Sequence, residues 1–245
     1  MDSIRIGIAG WALGKETVGF FPKHGTHLER YATLMNCVEI NSSFYRPHRK
    51  TTYERWAQCT PAHFRFAVKL PKQITHVKAL CDAEAELDQF VGECTGLGQK
   101  LGPLLVQLPP RLAWKEDLAT RFFSALRSRH PGAIVCEPRH DSWFTAGADS
   151  QLQEYQIARV AADPPTVPSA AQPGGSSNMC YYRLHGSPRV YYSTYHEDFL
   201  RRVALKLRTA AANGEAVWCI FDNTAESAAI PNAFSLMQIL AESLV

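Results

Sequence analysis

Eight short apolar segments recur along the chain and limit the folds that it can adopt. They are rich in Ile, Val, Phe and Tyr, and most lack the apolar–polar alternation of a strand with one exposed face. Such runs are typical of strands buried on both faces of a parallel sheet. The eight segments are residues 4–10, 37–41, 64–70, 103–108, 133–138, 157–163, 179–186 and 216–223.

Helical patterns separate most of these segments. The helical period of apolar residues appears in residues 28–35, 87–97, 118–126, 199–207 and 233–240. Asp82 is placed to cap the second helix. Residues 163–178 are instead rich in Pro, Gly and Ser, which predicts a long surface loop. Strand and helix alternating at roughly thirty-residue spacing predict an α/β fold, a single-domain (β/α)8 TIM barrel over 1–245, with an open doubly wound sheet as the alternative.

The composition excludes several classes of protein. The net charge of +3 is too small to indicate a dedicated nucleic-acid binder. The seven cysteines include no C-x-x-C pair, and four of them fall in apolar runs, so we expect reduced core residues. The N-terminal segment lacks the pattern of a signal peptide, and no apolar run is long enough to span a membrane. We therefore expect a cytoplasmic protein without a membrane partner.

Polar side chains stand at the end of nearly every apolar segment. The active site of a parallel barrel lies at the carboxyl ends of its strands, where buried charges would be costly without a function. The candidates are Glu39, Asn41, Lys69, Gln107, Glu137, Arg139, Asp163, Arg183, His185, Asp222 and Asn223. Because side chains alternate along a strand, three pairs of candidates each share a strand face: Glu39 with Asn41, Glu137 with Arg139, and Arg183 with His185. The structural alternative is a set of ion pairs, Glu137 with Arg183 and Glu39 with Lys69, that fills the barrel.

Aromatic and histidine side chains follow the same strand ends. Trp11, Tyr45 and Trp143 could form a stacking wall for a sugar or base, although packing under loops is the commoner role. His76 lies in the loop after the third strand and could carry a proton or hold phosphate together with Lys69. His140 adjoins Arg139 and joins the candidate ligand-binding residues.

Seven motifs resemble the YecE-like family, a bacterial and archaeal group defined by a domain of unknown function. They occur in order over nearly the whole chain. They are GIAGW (7–11), VEINSSFYR (38–46), FAVKLPKQITH (66–76), LGPLLVQLPP (101–110), EPRHDSW (137–143), YYRLHG (181–186) and FDNTAESAAIPNA (221–233). The resemblance implies a TIM-barrel fold and no particular activity. Asp222 replaces an asparagine that is common in the last motif, which adds a carboxylate.

Three functions are consistent with these residues. The first is an enzyme acting on a phosphate-containing or other anionic substrate, for instance a phosphoester hydrolase. In it Lys69, Arg139, Arg183 and His185 hold oxygens and Glu39 or Glu137 is the general base. Its cofactor would be Mg or Mn on carboxylates, with Asp163 and Asp222 as the added ligands.

The second function is a glycosidase or isomerase with Glu39 and Glu137 as paired carboxylates. The third is a module that binds nucleic acid or a small anionic ligand without chemistry. The candidate catalytic residues are Glu39, Glu137 and His185.

Overall fold

Ten strands form two hydrogen-bonded sheets in the computed structural model, which describes residues 4–242. The strands are β1 (Ile4–Ile8), β2 (Cys37–Ile40), β3 (Arg65–Lys69), β4 (Leu101–Gln107), β5 (Ile134–Glu137), β6 (Ile157–Arg159), β7 (Ala161–Asp163), β8 (Gly174–Gly175), β9 (Met179–Leu184) and β10 (Ala216–Phe221). Each of the eight predicted segments contains a strand, and the sixth contains two.

The strands pair in parallel, as the uninterrupted apolar runs predict. One sheet has the order β1-β10-β9-β7 and the other has the order β2-β3-β4-β5-β6-β8; β8 alone among the described strands pairs antiparallel. Two connections join the sheets. Ala9 forms a parallel bridge to Glu39, and the segment 157–163 supplies β6 to one sheet and β7 to the other.

Helices lie between most strands. They are α1 (His27–Tyr31), α2 (Ser42–Tyr45), α3 (Lys50–Gln58), α4 (Glu84–Cys94), α5 (Glu116–Arg129), α6 (Ala146–Glu154), α7 (Glu197–Ala212) and α8 (Ala229–Ala241). The five predicted helices are confirmed, whereas α2, α3 and α6 were not predicted. The cap assigned to Asp82 is wrong, because α4 begins after Ala83 and has no side-chain cap.

Neighbouring residues of each strand face two different apolar clusters. Within β4, Leu104 and Val106 pack with the helices, while Leu105 packs with strand residues such as Val135 and Tyr181. The strands are thus buried on both faces. Leu105, Val135 and Tyr181 belong to what we call the strand-only apolar cluster. Because side chains alternate with a period of two, the residue two positions further along each of these strands lies on the same face.

The predicted loop 163–178 contains a short 3-10 turn at Pro168–Ala171 and the edge strand β8. Arg159, which is 4% exposed, pairs with Asp149 and donates hydrogen bonds to the carbonyl groups of Ser169 and Gln172. The loop is therefore fastened to the sheet by one buried guanidinium. All seven cysteines are free, and within residues 4–242 no helix has the length and hydropathy needed to cross a membrane.

Candidate functional site

Several of the predicted polar residues each lie two positions after a residue of the strand-only apolar cluster. Residues two positions apart on a strand share a face, so at the carboxyl ends of the strands the apolar side chains of this face are followed by polar and charged ones. The pairs are Cys37 with Glu39, Ala67 with Lys69, Leu105 with Gln107, Val135 with Glu137, Tyr181 with Arg183, and Ile220 with Asp222. Glu39, Glu137 and Arg183 are completely buried there.

The guanidinium of Arg183 is the centre of this cluster. Its Nε and Nη2 atoms donate to the two oxygens of Glu39 at 3.0 and 2.7 Å. Its Nη1 atom donates to Glu137 Oε2 at 2.6 Å, and Nη2 also donates to Asp222 Oδ2 at 2.9 Å. The planar fork of arginine suits such multiple pairing. One cation from β9 therefore holds carboxylates from β2, β5 and the end of β10.

His185 lies two positions after Arg183 and adds an imidazole ring to the cluster. Its Nδ1 atom lies 3.0 Å from Asp222 Oδ2, and its Nε2 atom lies 2.8 Å from both Glu137 Oε1 and the Nη2 atom of Arg139. Arg139 Nη2 also pairs with Glu137 Oε1 at 2.6 Å. Both ring nitrogens of His185 are therefore engaged by the protein, which leaves neither free to act on a substrate in this conformation.

The ion pairs fix the charge of the carboxylates. Burial by itself would raise the pKa of Glu137, but the guanidinium groups of Arg139 and Arg183 lower it by more, so the pKa of Glu137 lies well below its usual range. In the same way, burial raises the pKa of Asp222 and Arg183 lowers it, with a lowered pKa as the outcome. Groups held this firmly in the ionised form are weak proton acceptors near neutral pH.

Lys69 differs from every other charged member of the cluster. It is 8% exposed, yet within the described residues its amine makes no hydrogen bond and no ion pair. Its contact is the ring of Phe44, whose centroid lies 4.2 Å from Nζ. Burial and the repulsion of Arg183 lower the pKa of Lys69 to about 8, against the weaker attraction of Glu39, Asp222 and Glu137. Lys69 is thus the group that titrates near neutrality.

Three further polar atoms lack partners at these strand ends within the described residues. The Nε atom of Arg139 and the Oδ1 atoms of Asn41 and Asn223 are sealed from solvent and have no hydrogen-bond partner. Buried polar groups are nearly always satisfied, so each such atom calls for an explanation. Lys69 Nζ is not among these sealed atoms, so part of its surface is open to solvent.

The predicted metal site does not assemble. Glu39, Glu137 and Asp222 all bind Arg183, and Asp163 Oδ1 instead accepts a hydrogen bond of 2.8 Å from the Tyr195 hydroxyl. Across residues 4–242 no three His, Cys, Asp or Glu side chains are arranged to hold an ion. The space that Mg or Mn would require between the carboxylates is filled by the guanidinium, so the residues present do not fit that metal.

Several predicted ligand-binding residues have structural partners instead. Trp143 is 1% exposed, and its Nε1 donates to the Leu112 carbonyl, so it offers no stacking surface. His140 Nδ1 accepts from the Ser142 amide and holds its own turn. Asn223 Nδ2 donates to the carbonyl of Ser193 and to Asn232 Oδ1, which fixes the loop after β9.

Other predicted residues lie nearer the surface. Trp11 is half-buried with its ring edge-on to Trp56 at 4.9 Å, and Tyr45 is 80% exposed. Gln107 donates to the neighbouring Leu108 carbonyl. His76 is different, because its ring packs edge-on against Phe44 at 4.9 Å and so lies on the same aromatic ring as Lys69.

Two members of the cluster were not predicted. The buried Tyr181 hydroxyl donates to Glu39 Oε2 at 2.9 Å, and Tyr191 presents its ring edge-on to His185 at 5.9 Å. The alternation that grouped Arg183 with His185 extends back to Tyr181, and this signal could have found it. Tyr191 belongs to a loop, and no periodic signal marks it.

The sequence of nearly the whole chain is similar to one known protein family. The sequence model of the family described as "Protein of unknown function DUF72" matches residues 5–244. The chain belongs to the DUF72 family. This finding confirms the YecE-like resemblance of the seven motifs.

Individual DUF72 relatives agree with this assignment. The chain is 30% identical over 151 residues to the UPF0759 protein YecE of Escherichia coli K12, an alignment of 59% of this chain and 55% of that protein. The chain thus spans about half the length of this relative. It is 23% identical to the UPF0759 protein YunF of Bacillus subtilis, across 97% of this chain and 94% of YunF.

A solved DUF72 structure shares the fold. The crystal structure of a DUF72 family protein from Enterococcus faecalis V583 superposes with a TM-score of 0.82 at 20% identity, and it covers 99% of this chain and 97% of its own. At this level of identity the likeness concerns the fold alone.

Proposed function

We propose that the charged cluster at the carboxyl ends of the strands binds a small anionic substrate and that Lys69 is the main cationic contact of this substrate. The cluster consists of Glu39, Lys69, Glu137, Arg139, Arg183, His185 and Asp222. The observation that carries the proposal is a buried amine without an ion pair. Burial of an unpaired charge is costly, and perturbed groups of this kind concentrate at functional sites. An anion placed against Lys69 would supply the missing partner.

The neighbouring charges support an anion rather than a cation as the ligand. Glu39, Glu137 and Asp222 carry three negative charges, and Arg183, Arg139 and Lys69 carry three positive ones, so these six side chains leave no excess negative charge to bind a cation. The guanidinium of Arg139, whose side chain is 18% exposed, adds a second positively charged group near an incoming anion. Phosphate and carboxylate groups carry the oxygen acceptors that such donors bind.

The site favours chemistry without a metal and without a carboxylate base. Glu137 is held ionised by two guanidinium groups, so it cannot serve as the protonated acid that a glycosidase needs, and it is a poor base for activating water. These features argue against the sugar-active alternative and against metal-assisted phosphoester hydrolysis. Proton transfer near neutral pH would fall to Lys69, with His76 beside it.

We further infer that the two sheets close into a single eight-stranded barrel. Three observations support closure: the Ala9–Glu39 bridge, the shared segment 157–163, and the ion pairs of Arg183 to carboxylates from both sheets. In such a barrel the cluster lies at the mouth that carries catalytic residues in this architecture.

A thermal melting scan tests the proposed function. Inorganic sulfate, inorganic phosphate, glyoxylate, xylose and a short single-stranded oligonucleotide would each be added to the wild type, to Lys69→Met and to Lys115→Met, whose lysine is exposed. At about a hundredfold excess over Kd, an anion should raise Tm by about 5–10 °C in the wild type and in Lys115→Met. Lys69→Met should lose this rise.

Two outcomes would contradict the proposed function. Xylose could raise Tm where no anion does, or Lys69→Met could respond like the wild type. A rise produced by the oligonucleotide but by none of the small anions would identify a nucleic-acid binder instead.

A further inference from the structure

We propose that Lys69 reacts covalently with its ligand, forming an imine with the carbonyl group of a small anionic aldehyde or ketone. The inference deepens the proposed function and rests on it, since it names the substrate class as an oxoacid or a carbonyl phosphate. The argument begins with the surroundings of the Lys69 amine.

Among residues 4–242, no acceptor forms a hydrogen bond or an ion pair with the Lys69 amine. Lys100 makes the contrast clear, because its amine donates to the carbonyls of Ala57 and Thr60 and to the Thr60 hydroxyl. An amine bound in that way must give up hydrogen bonds before it can react. The Nζ atom of Lys69 instead faces the Phe44 ring, 4.2 Å from its centroid. Its nitrogen lone pair is therefore available once the proton leaves.

The backbone around Lys69 is held in place on both sides. The Lys69 carbonyl accepts a hydrogen bond of 2.6 Å from the Ser43 hydroxyl, and the next amide, that of Leu70, donates to the Leu105 carbonyl. Ser43 precedes Phe44 in α2, so one short helix positions both the reactive residue and its aromatic contact. A nucleophile on such a fixed support keeps its geometry when a substrate arrives.

Burial also supplies the neutral amine. Because burial and Arg183 lower the pKa of Lys69 to about 8, about one-tenth of the amine is neutral at pH 7. Exposed lysines are almost entirely protonated at this pH. Desolvated lysines of this kind are the ones that form Schiff bases with carbonyl substrates.

His76 can carry the proton that the reaction moves. Its Nδ1 atom lies 2.8 Å from the Thr75 hydroxyl, and within the described residues its Nε2 atom has no hydrogen-bond partner. Burial and the charges of Lys69, Lys72 and Arg111 lower the pKa of His76, so the ring is neutral at pH 7 and can accept a proton. His76 and Lys69 share the ring of Phe44.

The step balances without an oxidant or a reductant. The neutral amine attacks the carbonyl carbon, a C–N bond forms, and the carbonyl electron pair moves to oxygen. Oxygen takes up the proton that nitrogen releases, with His76 as the carrier. The resulting carbinolamine expels its hydroxyl as water with one further proton, leaving a protonated C=N bond on Lys69. Arg139, which pairs with Glu137 near Arg183 and has a side chain that is 18% exposed, would attract the anionic group of the substrate by its positive charge.

Reductive trapping with glyoxylate tests this inference. The folded wild-type protein is incubated at pH 7 with glyoxylate and cyanoborohydride, whose hydride reduces an imine to a stable amine. Peptide mass spectrometry then locates any carboxymethyl group. We expect labelling of Lys69 at least about tenfold above any other lysine, since the others are nearly all protonated. Lys69→Arg should remove this adduct, and Lys115→Met should retain it.

Three controls make the outcome decisive. Unfolding in urea before labelling should abolish the preference for Lys69, because the preference depends on burial. Equal labelling of many lysines in the folded protein, or a preference that survives urea, would overturn the inference. If anions raise Tm through Lys69 but no adduct forms, the imine is refuted and the proposed function stands. If acetaldehyde labels Lys69 as well as glyoxylate does and no anion raises Tm, the imine stands and recognition of an anion is refuted.

Discussion

At the scale of single residues, the site depends on one buried arginine. Arg183 contacts three carboxylates that come from different strands; Glu39 and Glu137 are completely buried, and the Asp222 side chain is 11% exposed. Removing one partner of a buried ion pair leaves the others charged and unpaired, which costs far more than losing a surface pair. The stability of the fold therefore depends on Arg183, whereas in the proposed function the substrate binds elsewhere, at Lys69.

The substitution Arg183→Met should destabilise the protein by about 3–5 kcal/mol, because it leaves Glu39, Glu137 and Asp222 without their shared cation. Urea unfolding at pH 7 measures this loss. Arg201→Met is the matched control, since Arg201 pairs with Glu197 on the surface, and it should cost less than about 1 kcal/mol. Equal costs for the two substitutions would show that the buried network contributes no more than a surface pair.

Lys69 should have the opposite effect on stability. Its pKa of about 8 in the folded protein lies below the ordinary lysine value near 10.5, so the fold disfavours the ammonium form. Lys69→Met should therefore stabilise the protein at pH 7 by about 1–3 kcal/mol. The stability gained by Lys69→Met should shrink as pH rises from 8 towards 10.5. Between these two pH values the Lys69 amine has lost its proton in the folded wild type but still holds it in the unfolded chain.

Urea unfolding at pH 7 and pH 9.5 measures the effect of Lys69. Lys115→Met, at an exposed position, should differ from the wild type by less than about 0.5 kcal/mol at both values. A Lys69→Met protein that is less stable than the wild type at pH 7, or a difference independent of pH, would show that the amine is not strained in the fold.

The sequence predicted which residues belong to the site better than it predicted which of them pair with one another. Position at a strand end was enough to group Glu39, Glu137, Arg183 and Asp222, because alternation along buried strands is regular. The sequence offered the pair of Glu137 with Arg183, which the structure contains, but it also paired Glu39 with Lys69, whereas Glu39 binds Arg183 and Lys69 has no ion pair among the described residues. That choice depends on distances between strands far apart in the chain. Likewise, the tryptophan of EPRHDSW looked available until packing placed it beneath Leu112.

At the scale of secondary structure elements, the strongly patterned ones were predicted and the weakly patterned ones were not. The strands are continuous apolar runs, and α7 has a regular stripe of buried residues. By contrast, α3 buries only Tyr53 and α6 is mostly polar, so neither shows the helical period clearly. Tertiary contacts stabilise these two helices more than their own sequences indicate.

Gly7 marks the closest approach of β1 to β2. A Cβ atom at this position would collide with the backbone carbonyl of Cys37. Gly7→Ala should therefore destabilise the protein by about 1–3 kcal/mol or more, since both strands would have to shift. Thermal unfolding measures this change.

Gly92 provides the control for Gly7. It lies exposed in α4, where an added Cβ meets no atom, so Gly92→Ala should stabilise the protein by about 0.5–1 kcal/mol through helix propensity. A neutral Gly7→Ala would mean that the two strands are not packed as closely as described.

At the scale of the whole molecule, the family defines the fold and the site must define the activity. The DUF72 match extends over residues 5–244, and the Enterococcus structure has the same overall arrangement. One fold supports many unrelated reactions, so neither finding names a substrate. The net charge of +3 is also uninformative, because the decisive charge is a single buried amine.

Calorimetric titration of sulfate at pH 6.5 and pH 9.5 tests the central claim most directly. The charge of sulfate stays constant over this range. The pKa of Lys69 falls within it at about 8, while the lowered pKa of His76 and the raised pKa of Tyr191 fall outside. Sulfate affinity should fall by about tenfold or more at the higher pH, as the amine loses its charge. Affinity that is the same at both pH values, or the same in Lys69→Met, would contradict the account.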